Sequence, residues 1–532
     1  MIKRSFAGAL TIMLLAPAGA GAQNAERWWR DVQALAHDSM KGRQTGSPQH
    51  RQAAEYVAAT YRAAGLEPAG TNGFFQPVRF TMRTIDESRS SLVLLRDGRE
   101  ERLTLGEDAS LLPRAPLAAA VEAPVVFVGY GLQLPEYGYH DLDGLDVRGK
   151  VVAYLTGSPK GVPGPVLSHA RNQAWVAFRR AGAVGMIVFT SYRGGDSAYL
   201  RGARNRLAPA ASPADSAIDV MHGNRLNVQI NAARGEKLFA GAPRRFAWLA
   251  ARADSGLPLP RFDLPVRVRS RVHVIEQQIT SDNVAGLLRG SDPALRDEYV
   301  VLTAHLDHVG IGRPESGDSI YNGAMDNAAG TALLMEMARV LAPQRSALRR
   351  SVILVAVTAE EKGLLGSRYF AFNPTVPGGS IVANLNTDMF LPIIPLRMIM
   401  ANGLEESDLA ASAHAAGRAV GVPVVTDPEP EENRFVRSDQ YSFILRGIPA
   451  LSVKVGFGRD TPEHQKIRDF RARRYHGPAD DPSQPVDLAA AAGFARFYAA
   501  LVREVANRDT RPGWNDDSFF KRLARPTVPV SR

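Results

Sequence analysis

Tyr299-Val300-Val301-Leu302-Thr303-Ala304-His305-Leu306-Asp307-His308 is an apolar run that ends abruptly in histidine and aspartate. Its first five residues read as a strand buried on both faces. Two more runs of the same kind follow, Ser351 to Val357 and Ile381 to Leu385, and a helical pattern from Thr331 to Leu341 separates the first two. Buried runs alternating with helices predict an α/β fold: a mainly parallel, mixed sheet sandwiched by helices. Such sheets bind ligands beyond the carboxyl ends of their strands. The residues just past each run therefore decide the chemistry.

Those residues are nearly all good metal ligands. Thr358-Ala359-Glu360-Glu361-Lys362-Gly363 follows the second run, and Asn386-Thr387-Asp388-Met389 follows the third. Gly323-Ala324-Met325-Asp326-Asn327 stands at the edge of a helix, and Tyr475-His476-Gly477-Pro478 lies near the end. Singly, each has an ordinary explanation: Asp326 as a helix N-cap, the glutamate pair as a solvated surface, Asp388 as the start of a turn. Together they gather several carboxylates at one sheet edge, which is costly without cations. Two Zn2+ ions balance the set, with Asp326, Glu361 and Asp388 as anionic ligands and His305 and His476 as neutral imidazoles. One ligand must bridge ions about 3.5–4 Å apart, and a short carboxylate such as Asp326 suits that role. Of the adjacent glutamates, one can bind metal while the other faces water as general base. Asp307 is placed to accept a hydrogen bond from the free N–H of His305. The single-helix motif His-Glu-x-x-His is absent, and His308 sits in a loop without its glutamate, so it is left outside the ligand set. No Gly-x-Ser-x-Gly elbow and no phosphate-cradling glycine loop is present.

The rest of the chain sets bounds. At 532 residues it is long enough for two or three domains, and 45% hydrophobic with 22% charged residues is ordinary for a globular protein. Lys3 and Arg4, the apolar run Phe6 to Ala16, and Ala20-Gly21-Ala22 read as a signal peptide cut after Ala22, which predicts a secreted or periplasmic protein. No stretch predicts stable membrane insertion. Cysteine is absent, which excludes thiol catalysis, thiolate zinc sites and disulfides. The net charge is +10, but the basic residues are scattered and not interleaved with aromatics, so no nucleic-acid partner is expected. Ser47, Pro48 and Gly65 bound an amphipathic helix with Ala54, Val57, Ala58 and Tyr61 on one face. Between Val121 and Ala251 the pattern changes to short strands (Pro124 to Tyr130, Lys150 to Leu155, Val184 to Thr190) around a helix from Arg171 to Ala181, without clustered ligands. The expected organisation is a leader over 1–22, an N-terminal catalytic part over 23–120, a smaller α/β insert over 121–260, the main catalytic part over 261–510 and a tail over 511–532.

The strand-end motifs resemble the co-catalytic zinc exopeptidase family, which contains aminopeptidases, glutamate carboxypeptidases, glutaminyl cyclases and transferrin-receptor-like proteins. Asn283-Val284-Ala285-Gly286, Ala304 to His308, Gly323 to Asn327, Glu360 to Ser367 and Ser438-Asp439-Gln440-Tyr441-Ser442-Phe443 carry the likeness, in the order typical of its secreted bacterial branch. The resemblance implies a zinc-exopeptidase fold, of the phosphorylase/hydrolase-like type, with two zinc ions per chain and peptide substrates. It implies that Asp326 bridges, that Glu361 and His476 complete one site, and that His305 and Asp388 complete the other. It further implies Glu360 as general base, Asp307 as the residue orienting His305, and Tyr475 as a stabiliser of the oxyanion. Thr387 stands where the family often has an apolar residue. The insert resembles a protease-associated domain through Gly149 to Tyr154 and Ala181 to Val188. The leading expectation is an aminopeptidase. A carboxypeptidase of the glutamate carboxypeptidase type is the alternative, favoured by the arginines Arg468, Arg471, Arg473 and Arg474 in a loop before His476. A non-catalytic binding protein would be expected to lose ligands, and the candidate set here is complete. The role of Asp439, the side-chain preference and the oligomeric state do not follow from the sequence.

Overall fold

A computed structural model describes residues 18–190, 199–200, 203, 206–377 and 379–524. The apolar run of the expected leader lies outside them. Helix α1 (Ala18–Leu35) begins before the expected cut after Ala22 and runs through it. No described helix is long and apolar enough to cross a membrane.

The main sheet is mixed. Its labelled strands are β1 (Phe75–Ile85), β2 (Val274–Leu288), β3 (Tyr299–His305), β4 (Ser351–Val357), β5 (Ile381–Asn386), β6 (Ile399–Asn402) and β7 (Ala450–Val455). They lie in the order β1-β2-β4-β3-β5-β7-β6, with short strands Ala210–Pro213 and Val424–Val425 at the two ends. The parallel part is the centre, β4-β3-β5-β7, and its flanks at β2 and β6 are antiparallel. The central runs are apolar throughout because both faces are covered. Val300, Leu302 and Ala304 of β3 enter the larger core, and Tyr299 and Val301 enter the core on the opposite face. Residues 352–357 of β4 alternate in the same way. Each valine, leucine or isoleucine among them contributes roughly 1.5–3 kcal/mol when fully buried.

Helices α1, α2 (Pro48–Ala63), α3 (Ala329–Leu341) and α4 (Leu488–Ala506) supply the larger core through Trp28, Val57, Tyr61, Leu333, Phe494 and Tyr498, among others. The expected cap of α2 is present: the Ser47 hydroxyl accepts the His50 N–H at 3.0 Å, and Pro48 occupies the first turn.

A second sheet has its own cores. Its strand order is Arg99–Leu103, Ser91–Arg96, Phe262–Arg271, Ala120–Phe127, Val151–Leu155, Gly185–Phe189, Asn227–Ile230, Ala109–Leu111. It is wider than the stretch 121–260, because three strands between Ser91 and Leu111 and one from Phe262 to Arg271 pair into it. The helix expected from Arg171 to Ala181 is two helices, Gly164–Asn172 and Ala174–Arg180, with the chain leaving helical geometry at Gln173. The residues taken as a tail are packed at least to Phe520, which is fully buried against Phe435, Tyr441 and Trp514.

Candidate active site

Because β3, β4 and β5 are parallel, their carboxyl ends share one edge, and the loops leaving them bring His305 to His308, Glu360 to Gly363 and Asp388 together. Asp326 arrives from the side, in an irregular turn over Ala324–Ala328 whose Asp326–Asn327 peptide bond is cis. It is not the helix cap. Asn327 fills that role, its side-chain oxygen accepting the Gly330 N–H at 3.0 Å, and this leaves the Asp326 carboxylate free. His476 follows helix Pro462–Arg473. Ala359, Met389 and His476 all have left-handed backbone, at φ of 55°, 48° and 53°. Non-glycine residues pay roughly 1 kcal/mol or more for that conformation, which is typically held at functional sites.

The two oxygens of Asp326 face in different directions. Oδ1 lies 3.2 Å from His305 Nε2, which is also 3.4 Å from Asp388 Oδ1. Oδ2 lies 3.2 Å from His476 Nε2, which is also 3.2 Å from Glu361 Oε2. His308, left out of the set on sequence grounds, is here too: its Nδ1 is 2.8 Å from Glu361 Oε1 and 3.9 Å from Asp326 Oδ2. These atoms converge without aligning as hydrogen bonds. Among the described residues no hydrogen-bond partner exists for either His308 nitrogen, Asp326 Oδ2, Glu361 Oε1 or Asp388 Oδ1. Buried polar atoms left in this state are rare unless an ion or water completes them. Two triads, His305-Asp326-Asp388 and His308-Asp326-Glu361, each bring one donor atom per residue within 4.8 Å of one another.

Electrostatics separates the two glutamates. Burial pushes the Glu360 carboxyl well above its ordinary range, and Glu361, Asp388 and Asp439 add to the shift against His305. Burial acts on Glu361 as well, but the imidazoles of His308 and His476 outweigh it and hold this carboxylate below its usual range. Asp326 is held low in the same way by His305 and His476 against burial and Glu361. In return, burial is overcome at His476, which is held up to about 10 by Asp326 and Glu361. Neighbouring carboxyls driven apart in this manner are the usual mark of an acid/base group beside a ligand. Tyr475 stacks on His476 with ring centroids 3.9 Å apart. Burial and the surrounding carboxylates raise its phenol, so it stays a hydrogen-bond donor.

Residues 283–502 match the family described as Peptidase family M28, a span that includes every residue of this centre from His305 to His476. The likeness to peptidase family M28 is carried by that span of the chain. Over 146 residues it is 33% identical to a probable zinc metalloprotease of Leptosphaeria maculans, covering 27% of this chain and 33% of that protein. It is 30% identical over 214 residues to aminopeptidase Y of Saccharomyces cerevisiae, covering 38% of this chain and 35% of the relative. The chain thus spans about a third of the length of these curated relatives. The solved aminopeptidase from Aneurinibacillus sp. strain AM-1 is similar in fold with a TM-score of 0.52, at 18% identity, over 92% of this chain and 96% of that one.

Several residues that build this centre carry no signal in the sequence. Asp480 is fully buried and accepts the backbone N–H groups of Met325 and Asp326, both at 3.0 Å, so it fixes the turn that presents Asp326. Arg43, also without exposed surface, donates to the carbonyls of Leu35, Leu306, Asn322 and Gly323 and ties two of the loops together. The expected role of the Asp307 carboxylate is corrected. His305 Nδ1 faces the Asp307 backbone carbonyl at 3.0 Å, while the carboxylate accepts from Thr45 Oγ1 at 2.8 Å and from the Glu360 N–H at 3.1 Å. It orients the glutamate loop and leaves the histidine to the main chain. Asp439 is fully buried below the centre, where burial pushes it up to about 7. Of the four arginines before His476, Arg468, Arg471 and Arg473 lie in a helix, Pro462–Arg473, and Arg474 follows as its C-cap; only Arg471 of the four lines the cavity beside the centre.

Proposed function

We propose that the protein is a zinc-dependent aminopeptidase that releases N-terminal residues from peptides at a centre of two ions. The observation that carries this reading is Asp326, whose two oxygens face two separate donor sets in which several buried atoms have no hydrogen-bond partner. The nitrogen and carboxylate donors, with no thiolate available, suit zinc. Asp326 would be shared, His305 and Asp388 would hold one ion, and Glu361 and His476 the other. His476 is preferred to His308 because its Nε2 is equally near both carboxylates, as His305 Nε2 nearly is. Bound zinc supplies Lewis acidity, polarising a carbonyl oxygen and acidifying water.

The chain's own groups would do the rest. Glu360, held ready to accept a proton, takes it from the attacking water and returns it to the leaving amine. Asp307 fixes the main chain at Glu360. Tyr475 donates to the carbonyl oxygen as it becomes negative. The second sheet, which resembles a protease-associated domain in sequence, would wall the cleft on the side where Arg114 reaches the Gly363 carbonyl at 3.5 Å. Export through a leader removed after Ala22 is part of the same proposal, and the mass of the mature N-terminus tests it.

The deciding experiment is zinc content together with hydrolysis of aminoacyl-p-nitroanilides by the wild type and Glu360→Gln. Near two zinc per chain, and a variant that keeps its metal but loses about 10²–10⁴-fold in kcat, is expected. Hydrolysis that survives blocking of the substrate amine would point to a carboxypeptidase. Absence of zinc would leave a binding protein.

A further inference from the structure

Strand β7 reads Ala450-Leu451-Ser452-Val453-Lys454-Val455, and its alternation is informative. Leu451, Val453 and Val455 enter the main core, so Ser452 and Lys454 face the other way. They line a cavity of about 140 Å3 that also has Asp388 and Tyr475 in its wall. At roughly 30 Å3 per water this space takes about five waters, enough for a short polar side chain.

The charges around the cavity are matched with one exception. Arg434 donates to Asp427 at 2.5 Å and to Glu429 at 2.6 Å. Arg471 donates to Glu429 at 2.8 Å, and His464 takes the other Glu429 oxygen at 2.9 Å. Arg437 and Glu432 pair loosely at 3.5 Å near the rim. Lys454 is partly buried, and no ion pair or hydrogen bond to it is found among the described residues. The carboxylates that act on it are Asp388 and, more weakly, Asp326, against burial and the guanidinium groups of Arg434 and Arg471. Both carboxylates are proposed metal ligands. Once they are engaged by cations, the ammonium faces the cavity without a counter-charge, a state that a buried cation does not tolerate cheaply.

We propose that this cavity receives the side chain of the residue the enzyme releases, and that Lys454 selects a side-chain carboxylate, making aspartate and glutamate the favoured terminal residues. The proposal rests on the exopeptidase reading above. Glutamyl- and glutaminyl-p-nitroanilide are nearly isosteric and differ in charge, so their kcat/KM ratio isolates the pocket.

Wild type is expected to favour the glutamyl substrate by about 10- to 100-fold, the value of a charged hydrogen bond. Lys454→Arg should keep the preference, and Lys454→Met should bring the ratio to one or below, with zinc content and unfolding midpoint reported for each. Calorimetric titration with free glutamate and glutamine gives a readout apart from turnover: glutamate should bind more tightly to the wild type, and the difference should vanish in Lys454→Met. A wild-type ratio near or below one, or a preference that survives in Lys454→Met, overturns the proposal. If Lys454→Met does not fold, the wild-type ratio and titration decide. If zinc-loaded wild type cleaves no aminoacyl nitroanilide, the exopeptidase reading fails, and the titration alone decides the pocket.

Discussion

Two histidines compete for one carboxylate pair at the centre. His308 Nδ1 is nearer Glu361, but His476 Nε2 is placed between Glu361 and Asp326. His476→Ala is expected to lower bound zinc from two per chain to about one, while His308→Ala keeps both; elemental analysis after dialysis reads the difference. The opposite pattern would reassign the ligand. His305, Glu360, Glu361 and Asp388 are legible because they follow three apolar runs that share one sheet edge, whereas Asp326 and His476 follow no such run and join the set only through the charge that two cations need and the motifs around them. Asp480, Thr45 and Arg43 are not legible, because they act on main-chain atoms or on a carboxylate distant in sequence, and any chain position could have supplied them. His308 was set aside for want of a helix motif. Its part became visible only once the turn at Asp326 was placed opposite the end of β3.

At the scale of elements, the catalytic edge depends on how its loops are tied. Arg43, which has no exposed surface, holds four carbonyls from three segments. A lysine carries the charge but not the fork. Arg43→Lys should therefore cost roughly 1–3 kcal/mol for each carbonyl left without a donor, read as a lower midpoint in denaturant. An unchanged midpoint would mean the ammonium reaches them all. Asp480→Ala leaves two buried N–H groups of the turn that presents Asp326 without an acceptor, so it should cost roughly 1–3 kcal/mol for each and also lower bound zinc; a variant that keeps both its unfolding midpoint and its zinc would show that the turn holds without Asp480. Element identity was read well where periodicity was long, as in β3, β4, β5 and α2. It was read poorly where the signal was short. Asp97-Gly98 between Ser91–Arg96 and Arg99–Leu103 is a strong hairpin signature. It announces a hairpin but not the sheet that the hairpin joins, and so the limits of the second sheet were missed. Thr461-Pro462 likewise announces the helix Pro462–Arg473, the Thr461 hydroxyl accepting the His464 N–H at 3.2 Å.

Across the whole molecule, helix Gly164–Asn172 beside the second sheet meets helix Gln440–Ile444 and the C-terminal segment at His169. Its Nδ1 is 2.9 Å from the Tyr441 hydroxyl, and its ring packs edge-on against Tyr441, Phe519 and Phe520. Burial, and then Arg522, lowers His169 to about 4. The unfolded chain takes up a proton near pH 6.5 that the folded state refuses until about 4, so the unfolded state binds more protons in that window and stability falls as pH drops through it. The slope from this one group is up to roughly 1.4 kcal/mol per pH unit. His169→Gln should flatten the stability profile between pH 6.5 and 4; equal slopes in both proteins would show that the ring is charged in place. The long antiparallel pairing of β1 with β2, which runs from Val274 opposite Ile85 to Val284 opposite Phe75, has a different consequence. Roughly 190 residues must leave the ribosome after β1 before its partner exists, which at 5–20 residues per second is about 10–40 s. For that time a bare strand edge waits in a nascent chain, and a holdase that shields it should raise the yield of native protein more than any treatment applied after synthesis.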